Sequence, residues 1–305
     1  MTATTTSDHG PRTAHQRRSG SDGRPPIHLR TVTLDWSRTY VLGVLNVTPD
    51  SFSDGGRYAD ADAAVARGRE LWAAGADLID VGGESTRPRS APVDAAEELR
   101  RVLPVIERLR AEVPVPLSID TYKARVADAA LRAGAEVVND VSGGRLDPEM
   151  LAVAGRAGAP VILGHLRGQP ATMQDAITFT DLVIEVVAEL RESAARSEGE
   201  GAPDIVDPGL GFGKTTAHNL ELLARLGEVR TACGRPLCVG PSRKAFLGEV
   251  CGAKVEDRLV PSVAAAVICA LHGADIVRVH DVAETVAAIK VAGAVRRGLP
   301  AGAGA

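Results

Sequence analysis

The sequence predicts a (β/α)₈ TIM barrel, formed by a single domain behind a disordered N-terminal tail. Three observations support this: eight short apolar runs, a segment with helical period after most of them, and Gly-Ala pairs where the helical segments end. Most of the runs do not alternate with polar residues, as expected for parallel strands covered on both faces. Eight such units in about 260 residues match the size of this barrel. The alternative is a doubly wound sheet, which would normally use fewer strands and have one clear switch point.

The composition favours a compact core behind a polar N-terminal segment. The 305 residues are 45% hydrophobic and only 3% aromatic, which excludes a wholly disordered chain and favours closely packed layers of helices on strands. Residues 1–25 are rich in Ser, Thr, Gly, Arg and Pro, and no hydrophobic region follows them, so they are predicted to be a disordered tail rather than a signal peptide. The barrel domain is predicted over residues 26–300, beginning with a short hairpin or lid strand at 27–36.

The individual elements follow from local patterns. The first two helical segments place apolar or small residues at the i, i+3, i+4 and i+7 positions, from Ala61 to Trp72 and from Ala95 to Ile106. Glycine suits the left-handed residue that ends a helix, which explains the junctions at Gly75, Gly134, Gly158 and Gly273. The eight predicted strands are residues 40–46, 77–81, 115–120, 136–139, 160–165, 204–207, 236–240 and 275–279.

Charge and cysteine content exclude several classes of protein. The formal net charge is −4, so the basic surplus typical of nucleic-acid binding is missing. The longest uncharged run, residues 259–274, is shorter than the roughly 20 apolar residues of a membrane span and is predicted to be a buried helix. No cysteine pair has CxxC or metal-ligand spacing. Buried thiols in a reducing cytoplasm are therefore expected at Cys233, Cys238, Cys251 and Cys269.

Polar residues collect where the predicted strands end. At these ends lie Asn46, Asp120, Asn139, His165, Asp207, Arg278 and His280, and the following loops contain Thr86, Arg87 and Lys244. In a barrel all these positions converge on one face, where active sites are built. Each residue alone could be an ordinary turn or cap residue. Polar side chains follow nearly every predicted strand, which is more than the capping of helices and turns requires. The sequence therefore predicts a binding face.

The residue types at this face suggest its ligand. The acids Asp120 and Asp207, with Asn139, could bind the N–H and NH₂ edge of a planar heterocycle. The cationic counterpart is suited to phosphate and consists of Arg278, His280 and Arg87. The alternative is that these charges pair with one another as salt bridges.

One apparent nucleotide motif does not qualify. The run Gly213-Lys214-Thr215 resembles the end of a P-loop, but that motif needs a glycine six positions before the lysine, where this chain has Pro208. The loop is better interpreted as a glycine-rich wall beside Asp207.

Seven motifs together carry a family resemblance. In chain order they are LNVTPDSFSDGG (45–56), VGGESTRP (81–88), SIDTYKA (118–124), NDVSGG (139–144), DPGLGFGKT (207–215), SRKAFLG (242–248) and RVHDV (278–282). With these motifs the chain resembles the bacterial dihydropteroate synthases, the sulfonamide-target enzymes of folate biosynthesis, from about residue 40 to about residue 298.

The resemblance implies a cytoplasmic, homodimeric TIM-barrel transferase that requires Mg²⁺ and has no nucleic-acid or membrane partner. Such an enzyme joins 4-aminobenzoate to 6-hydroxymethyl-7,8-dihydropterin diphosphate and releases 7,8-dihydropteroate and pyrophosphate. By resemblance, the pterin is bound by Asp120, Asn139, Asp207 and Lys244. The diphosphate is bound by Asn46, Thr86, Arg278 and His280, and Asn46 also contacts Mg²⁺. Aminobenzoate is bound by Phe52, Arg87, Pro88, Phe212 and Ser242. The catalytic set is Asp120, Lys244, Arg278 and His280.

Three positions depart from the family pattern, and two other functions compete. Gly164 replaces a Met that often packs on the pterin, and Arg89 and Pro241 are unusual neighbours of the aminobenzoate site. One competitor is a pterin-binding methyltransferase barrel acting on methyl-tetrahydrofolate, which should lack the SRK and RxH sequences. The other is a catalytically silent pterin-binding paralogue, which Gly164 alone favours.

Overall fold

The computed structural model of the chain describes residues 23–48, 56–86 and 90–297. A two-stranded antiparallel hairpin comes first, formed by β1 (Ile27–His28) and β2 (Thr33–Leu34). Eight parallel strands follow: β3 (Tyr40–Asn46), β4 (Leu78–Gly82), β5 (Leu117–Asp120), β6 (Val137–Asp140), β7 (Val161–Gly164), β8 (Asp204–Asp207), β9 (Cys238–Val239) and β10 (Ile276–Val279).

The helices lie between and after these strands. They are α1 (Gly56–Ala73), α2 (Ala95–Glu112), α3 (Ala124–Ala133), α4 (Met150–Ala157), α5 (Leu182–Gly199), α6 (Thr216–Ala224), α7 (Leu226–Cys233), α8 (Ala245–Cys251), α9 (Leu259–Leu271) and α10 (Val282–Arg297). A short 3₁₀ turn, Val255–Asp257, precedes α9.

The parallel sheet closes on itself. Its strand order is β8-β7-β6-β5-β4-β3-β10-β9, and Val206 of β8 forms a parallel bridge with Leu237, the residue before β9. The backbone N–H of Val206 donates to Pro236 O at 2.9 Å. Closure without a free edge confirms the predicted (β/α)₈ barrel and excludes the doubly wound sheet.

Alternate side chains of each strand point into the barrel and form layers. The lower layer is apolar and consists of Leu42, Leu78, Val137, Ile162, Ile205, Cys238 and Ile276. After six of these seven residues, the position two further along the chain is an acid, an amide, a guanidinium or a glycine, while Leu42 is followed by the apolar Val44. The six positions are Asp80, Asn139, Gly164, Asp207, Gly240 and Arg278. The barrel therefore has an apolar base and a polar upper end at the carboxyl termini of its strands.

The predicted hairpin is confirmed, and it seals the base. Ile27, Leu34 and Trp36 are buried against the lower apolar layer, at the end opposite the polar strand ends. Just before it, Arg24 donates two hydrogen bonds to Asp275, at 2.6 and 2.8 Å. The tail over 1–25 and the domain boundary that follows it remain predictions, since residues 1–22 lie outside the described ranges.

The outer helices pack as their apolar stripes predict, with two corrections. Val65 of α1 and Ile106 of α2 are buried, but Trp72 at the end of the first stripe is 41% exposed. The predicted buried helix at 259–274 corresponds to α9, which is buried on one face only, because Val260 is 75% exposed. No helix in the described parts of the chain is long and apolar enough to cross a membrane.

The cysteines are free thiols, as predicted, but not all are buried. Cys238 belongs to the lower layer of the barrel and Cys269 to the face of α9 that packs inward. Cys251 is exposed at the end of α8, so the expectation of a buried thiol is wrong there.

Candidate active site

A cleft lies at the carboxyl ends of the barrel strands, with about 440 Å³ of space, part of it open to solvent. Seven of the predicted site residues line it, namely Thr86, Asp120, Asn139, Asp207, Phe212, Lys244 and Arg278, and so does Gly164. The structure thus brings most of the predicted site together. The predicted residues Phe52, Arg87 and Pro88, and the unusual Arg89, lie outside the described residues.

A buried ion pair occupies the centre of this face. Arg278 of β10 reaches across β3, and its Nε donates to Asp80 Oδ2 at 2.6 Å while its Nη2 donates to Asp120 Oδ2 at 2.5 Å. The Arg278 side chain is only 20% exposed. Burial opposes its charge, but the two carboxylates outweigh burial and raise the pKa of Arg278. The predicted cation and the predicted pterin acid are therefore direct partners within the site.

Asp80 is a site residue that the sequence reasoning missed. It lies in the middle of β4, is fully buried, and accepts from Asn139 Nδ2 at 2.9 Å as well as from Arg278. An acid inside an otherwise apolar strand is costly unless it is paired, and this was the signal in the segment Leu78–Gly82. A search restricted to strand ends could not find it.

Burial governs the ionisation of the other two acids. It raises the pKa of Asp120 to about 7, although the charge of Arg278 opposes this. It also raises the pKa of Asp207, whose Oδ1 accepts the Gly209 N–H at 2.7 Å. Gly209 itself has φ +68°, and a side chain there would meet His165 O at 2.0 Å, so glycine is required for the loop to turn under Asp207. Both acids thus sit where a ligand with N–H donors would stabilise their charged forms.

Lys244 and Phe212 form one wall of the cleft. The Lys244 ammonium lies 4.0 Å from the centre of the Phe212 ring, a cation–π contact. Gly211 allows this approach, because a side chain at that position would contact the Lys244 stem at 3.0 Å. This wall joins the 207–215 loop to the start of α8.

Ser242 and His280 lie beside the cleft and bind each other. Ser242 Oγ accepts the backbone N–H of His280 at 3.2 Å and lies 3.1 Å from its Nδ1. Burial, followed by the charge of Arg278, lowers the pKa of His280 to about 3, so the imidazole is neutral in this state. Arg243, the residue after Ser242, has a left-handed backbone conformation with φ +57°, which costs energy for a residue other than glycine.

A buried polar chain supports the floor of the site. Lys214 Nζ, at the end of the glycine-rich loop, lies 2.9 Å from His165 Nδ1 and donates to Phe212 O at 3.0 Å. Burial lowers the pKa of Lys214 to about 7 and that of His165 to about 4. His165 Nε2 lies 3.2 Å from Glu189 of α5. His165, which the sequence placed at the binding face, is therefore a support beneath it and not a lining residue.

A second buried cluster holds the loop that follows β4. Lys123 Nζ lies against the carboxylates of Glu84 and Glu98, at 2.5 Å from the latter, and Tyr122 OH donates to Glu84 Oε1 at 2.8 Å. Glu84 also accepts the Val93 N–H at 3.2 Å. The two ends of the 83–93 loop, which contains Thr86, are thus fixed to the end of β5.

The glycine at position 164 marks a close approach between backbones. A side chain there would lie 2.6 Å from the carbonyl oxygen of Val141, and Val141 also lines the cleft. The backbone at Val141 therefore occupies the space that a larger side chain at position 164 would need. Pro241, which also departs from the family pattern, is buried at the turn into α8, where the Lys244 N–H donates to its carbonyl oxygen at 3.4 Å.

Asn46 carries an amide oxygen of a kind suited to Mg²⁺. Asn46 is half-buried at the end of β3, level with Gly82 in the sheet register. In the ranges that the structure describes, no three His, Cys, Asp or Glu side chains are grouped as a protein-only metal site would require. Mg²⁺ commonly takes one or two protein oxygens and completes its shell with phosphate and water. The Asn46 amide oxygen at this face fits that mode.

Comparison with known proteins agrees with this geometry. Residues 42–280 match the family of pterin binding enzymes. Over 278 residues the chain is 45% identical to the dihydropteroate synthase of Synechocystis, covering 90% of this chain and 96% of the relative.

The chain belongs to the dihydropteroate synthase family. Two solved members show how closely the fold is shared. The Yersinia pestis dihydropteroate synthase with a sulfonamide drug superposes with a TM-score of 0.83 at 44% identity, covering 89% of this chain and 99% of that one. The Xanthomonas albilineans enzyme in complex with 7,8-dihydropteroate gives 0.81 at 43% identity, covering 90% and 100%. The family and the TIM-barrel fold expected from the seven motifs are thus confirmed.

Proposed function

We propose that this transferase condenses 4-aminobenzoate with 6-hydroxymethyl-7,8-dihydropterin diphosphate, forming 7,8-dihydropteroate and pyrophosphate. The observation that carries the proposal is the cleft at the polar end of the barrel. It places the acceptors of Asp120, Asn139 and Asp207 next to the guanidinium of Arg278. The acceptors suit a heterocycle rich in N–H groups, and the guanidinium suits a diphosphate. The free cysteines support a reducing, cytoplasmic location.

The ion pair suggests how the charges move in the reaction. Arg278 is held by both Asp80 and Asp120, so an incoming diphosphate competes with Asp120 for the guanidinium. Once Arg278 binds the diphosphate, the Asp120 carboxylate is left facing the pterin. Departure of pyrophosphate then leaves a methylene cation delocalised into the pterin, which Asp120 stabilises by its charge.

The remaining polar groups fit the leaving group and the second substrate. Lys244 binds the pterin from the wall that it forms with Phe212. Thr86 and His280 hold the diphosphate, and a diphosphate beside the neutral imidazole of His280 would raise its pKa and favour protonation. The neutral amine of aminobenzoate attacks the cation without a strong general base. Its binding is assigned to Phe52, Arg87, Pro88, Phe212 and Ser242.

Mg²⁺ is proposed to bind Asn46 together with the diphosphate. When bound, it supplies positive charge to the leaving pyrophosphate. The Asn46 amide would orient the ion at the β3 end of the cleft, on the side where β10 presents Arg278, since β3 and β10 are neighbours in the sheet.

A homodimer is proposed from an exposed apolar face on the last two helices. On α9, exposed apolar residues recur every three or four positions at Val260, Ala264, Ile268 and Leu271. On α10, which packs beside α9, Val291 and Val295 are 65% and 73% exposed. A continuous apolar face of this kind is typical of a protein interface. A second copy of the chain is its proposed partner.

The proposal is tested by assaying the purified full chain with Mg²⁺ and both substrates, measuring pyrophosphate and dihydropteroate in one sample. We expect equal amounts of both products, formation that depends on aminobenzoate, and competition by a sulfonamide. Binding of the pterin diphosphate without product would identify a silent paralogue and contradict the proposal. Methyl transfer from methyl-tetrahydrofolate would identify the methyltransferase alternative.

A further inference from the structure

Asp80 controls more than the position of one arginine. Its Oδ2 accepts two hydrogen bonds, from Arg278 Nε at 2.6 Å and from Asn139 Nδ2 at 2.9 Å. The side chain is fully buried, and among the described residues its Oδ1 has no hydrogen-bond partner. It does not line the cleft. Asp80 therefore acts on a ligand only through the two residues that it holds.

The consequence for Asn139 is a fixed amide orientation. A carboxylate paired with a guanidinium can only accept hydrogen bonds, so the amide of Asn139 must turn its NH₂ group towards Asp80. Turning the amide over would bring its oxygen to 2.9 Å from a buried carboxylate oxygen and set two acceptors against each other, which is costly. The Oδ1 of Asn139 is then the amide atom available to a ligand in the cleft.

We infer that Asp80 is a specificity-determining, positioning residue: by fixing Asn139 it makes the three side chains Asp120, Asn139 and Asp207 all present acceptors to the heterocycle, while Lys244 supplies a donor. This inference rests on the proposed function. Asn139 Oδ1, Asp120 and Asp207 all offer acceptors to the cleft. A heterocycle must then present amino and ring N–H groups. An analogue with an oxo group in place of the amino group places one oxygen against another and is excluded.

The test uses ligands without a diphosphate, so that Arg278 and Mg²⁺ do not enter the measurement. Equilibrium titration, followed by ligand fluorescence, compares 6-hydroxymethylpterin with 6-hydroxymethyllumazine, which carries an oxo group at the 2-position. The wild type should prefer the pterin. Asp80→Asn can donate to Asn139 and lets its amide turn, so the preference should fall by about tenfold or more, the effect of one hydrogen bond of ordinary strength.

An exchange of the two side chains provides the decisive control. In the double variant Asp80→Asn with Asn139→Asp, the amide at position 80 donates to a carboxylate at position 139, and the net charge of the pair is unchanged. An acceptor again faces the cleft, so the preference should return to within about threefold of the wild type. Mere damage to the fold by Asp80→Asn would not be repaired by a second change. Ser118→Ala, a fully buried position beside Asp80 in the sheet register, should leave the preference unchanged.

The outcomes separate the two claims. If the wild type does not bind the pterin at all, the proposed function fails. If the wild type binds and prefers the pterin but Asp80→Asn keeps that preference, the role assigned to Asp80 is wrong. The role is also wrong if the double variant is folded, as judged by circular dichroism, but does not recover the preference.

Discussion

Replacing Arg278 by methionine tests how far the site depends on its central ion pair. Methionine has a similar length but no charge, so Asp80, fully buried, and Asp120, 12% exposed in its side chain, lose their shared guanidinium. Breaking a buried pair by removing one partner typically costs about 3–5 kcal/mol. We expect the free energy of unfolding at pH 7.5 to fall by about that amount.

The loss should depend on pH in a defined direction. Burial already raises the pKa of Asp120 to about 7, and removing Arg278, whose charge opposes that shift, raises it further above its unfolded value. The Asp120 proton is then held in the folded chain and released on unfolding, so the stability of the variant declines as pH rises towards that pKa. Each pH unit in this range contributes about 1.4 kcal/mol. Because Asp120 of the wild type already has a pKa of about 7, the stability of the wild type also declines over most of this range, so the loss relative to the wild type should be about 1 kcal/mol smaller at pH 5.5 than at pH 7.5.

The assay is urea unfolding followed by far-UV circular dichroism at both pH values. Arg132→Met is the matched control, because Arg132 forms an exposed pair with Asp128 on α3 and should cost less than about 0.5 kcal/mol. A loss below about 1 kcal/mol for Arg278→Met, or an equal loss at both pH values, would refute the reasoning.

Three further predictions concern other parts of the site. Because burial raises the pKa of Asp120 to about 7 and its proposed role needs the carboxylate, kcat/KM for the pterin diphosphate should fall by up to about tenfold per pH unit below that value. Measuring kcat/KM as a function of pH checks this. Asp120→Asn should lower turnover and abolish the fall in kcat/KM at acid pH. If that fall is unchanged in the variant, Asp120 is not its origin. Burial lowers the pKa of Lys214 from its ordinary value of 10.5 to about 7. Between these two pH values Lys214 is protonated in the unfolded chain but not in the folded one, so the free energy of unfolding of the wild type should rise with pH. Urea titrations from pH 6.5 to 9.5 should show a flatter dependence for Lys214→Met, and parallel curves would contradict this. Gly164→Ala should lower stability by about 1–3 kcal/mol, because its side chain would lie 2.6 Å from Val141 O; an unchanged melting temperature would show that the backbones can separate at no cost.

The sequence predicted the barrel well because its signals are local. Unalternating apolar runs predicted strands whose ends all agree with the structure to within two residues. The largest difference in length is at the segment predicted over 236–240, of which β9 occupies only Cys238–Val239. Strand ends such as Asp120 and Asp207 were found because a parallel barrel brings every carboxyl end to one face.

The sequence could not predict pairings that depend on the closed barrel. Arg278 and Asp80 are 198 residues apart, and their contact arises only because β10, β3 and β4 are neighbours in the sheet. The two interpretations of the strand-end charges, binding face or salt bridges, turned out to be compatible, since Arg278 both lines the cleft and pairs with Asp120. The exposed face of α9 was also missed, because an evenly apolar helix gives no sign of which side faces outward.

The most direct test of the proposed chemistry is the order of events in a single turnover. Enzyme in excess over the pterin diphosphate is mixed with Mg²⁺ and aminobenzoate and quenched at successive times, and pyrophosphate and dihydropteroate are measured in each sample. If the pterin cation forms beside Asp120 before the amine attacks, pyrophosphate should appear first and dihydropteroate should follow with a lag. Appearance of the two products together at every time and every aminobenzoate concentration would contradict this account.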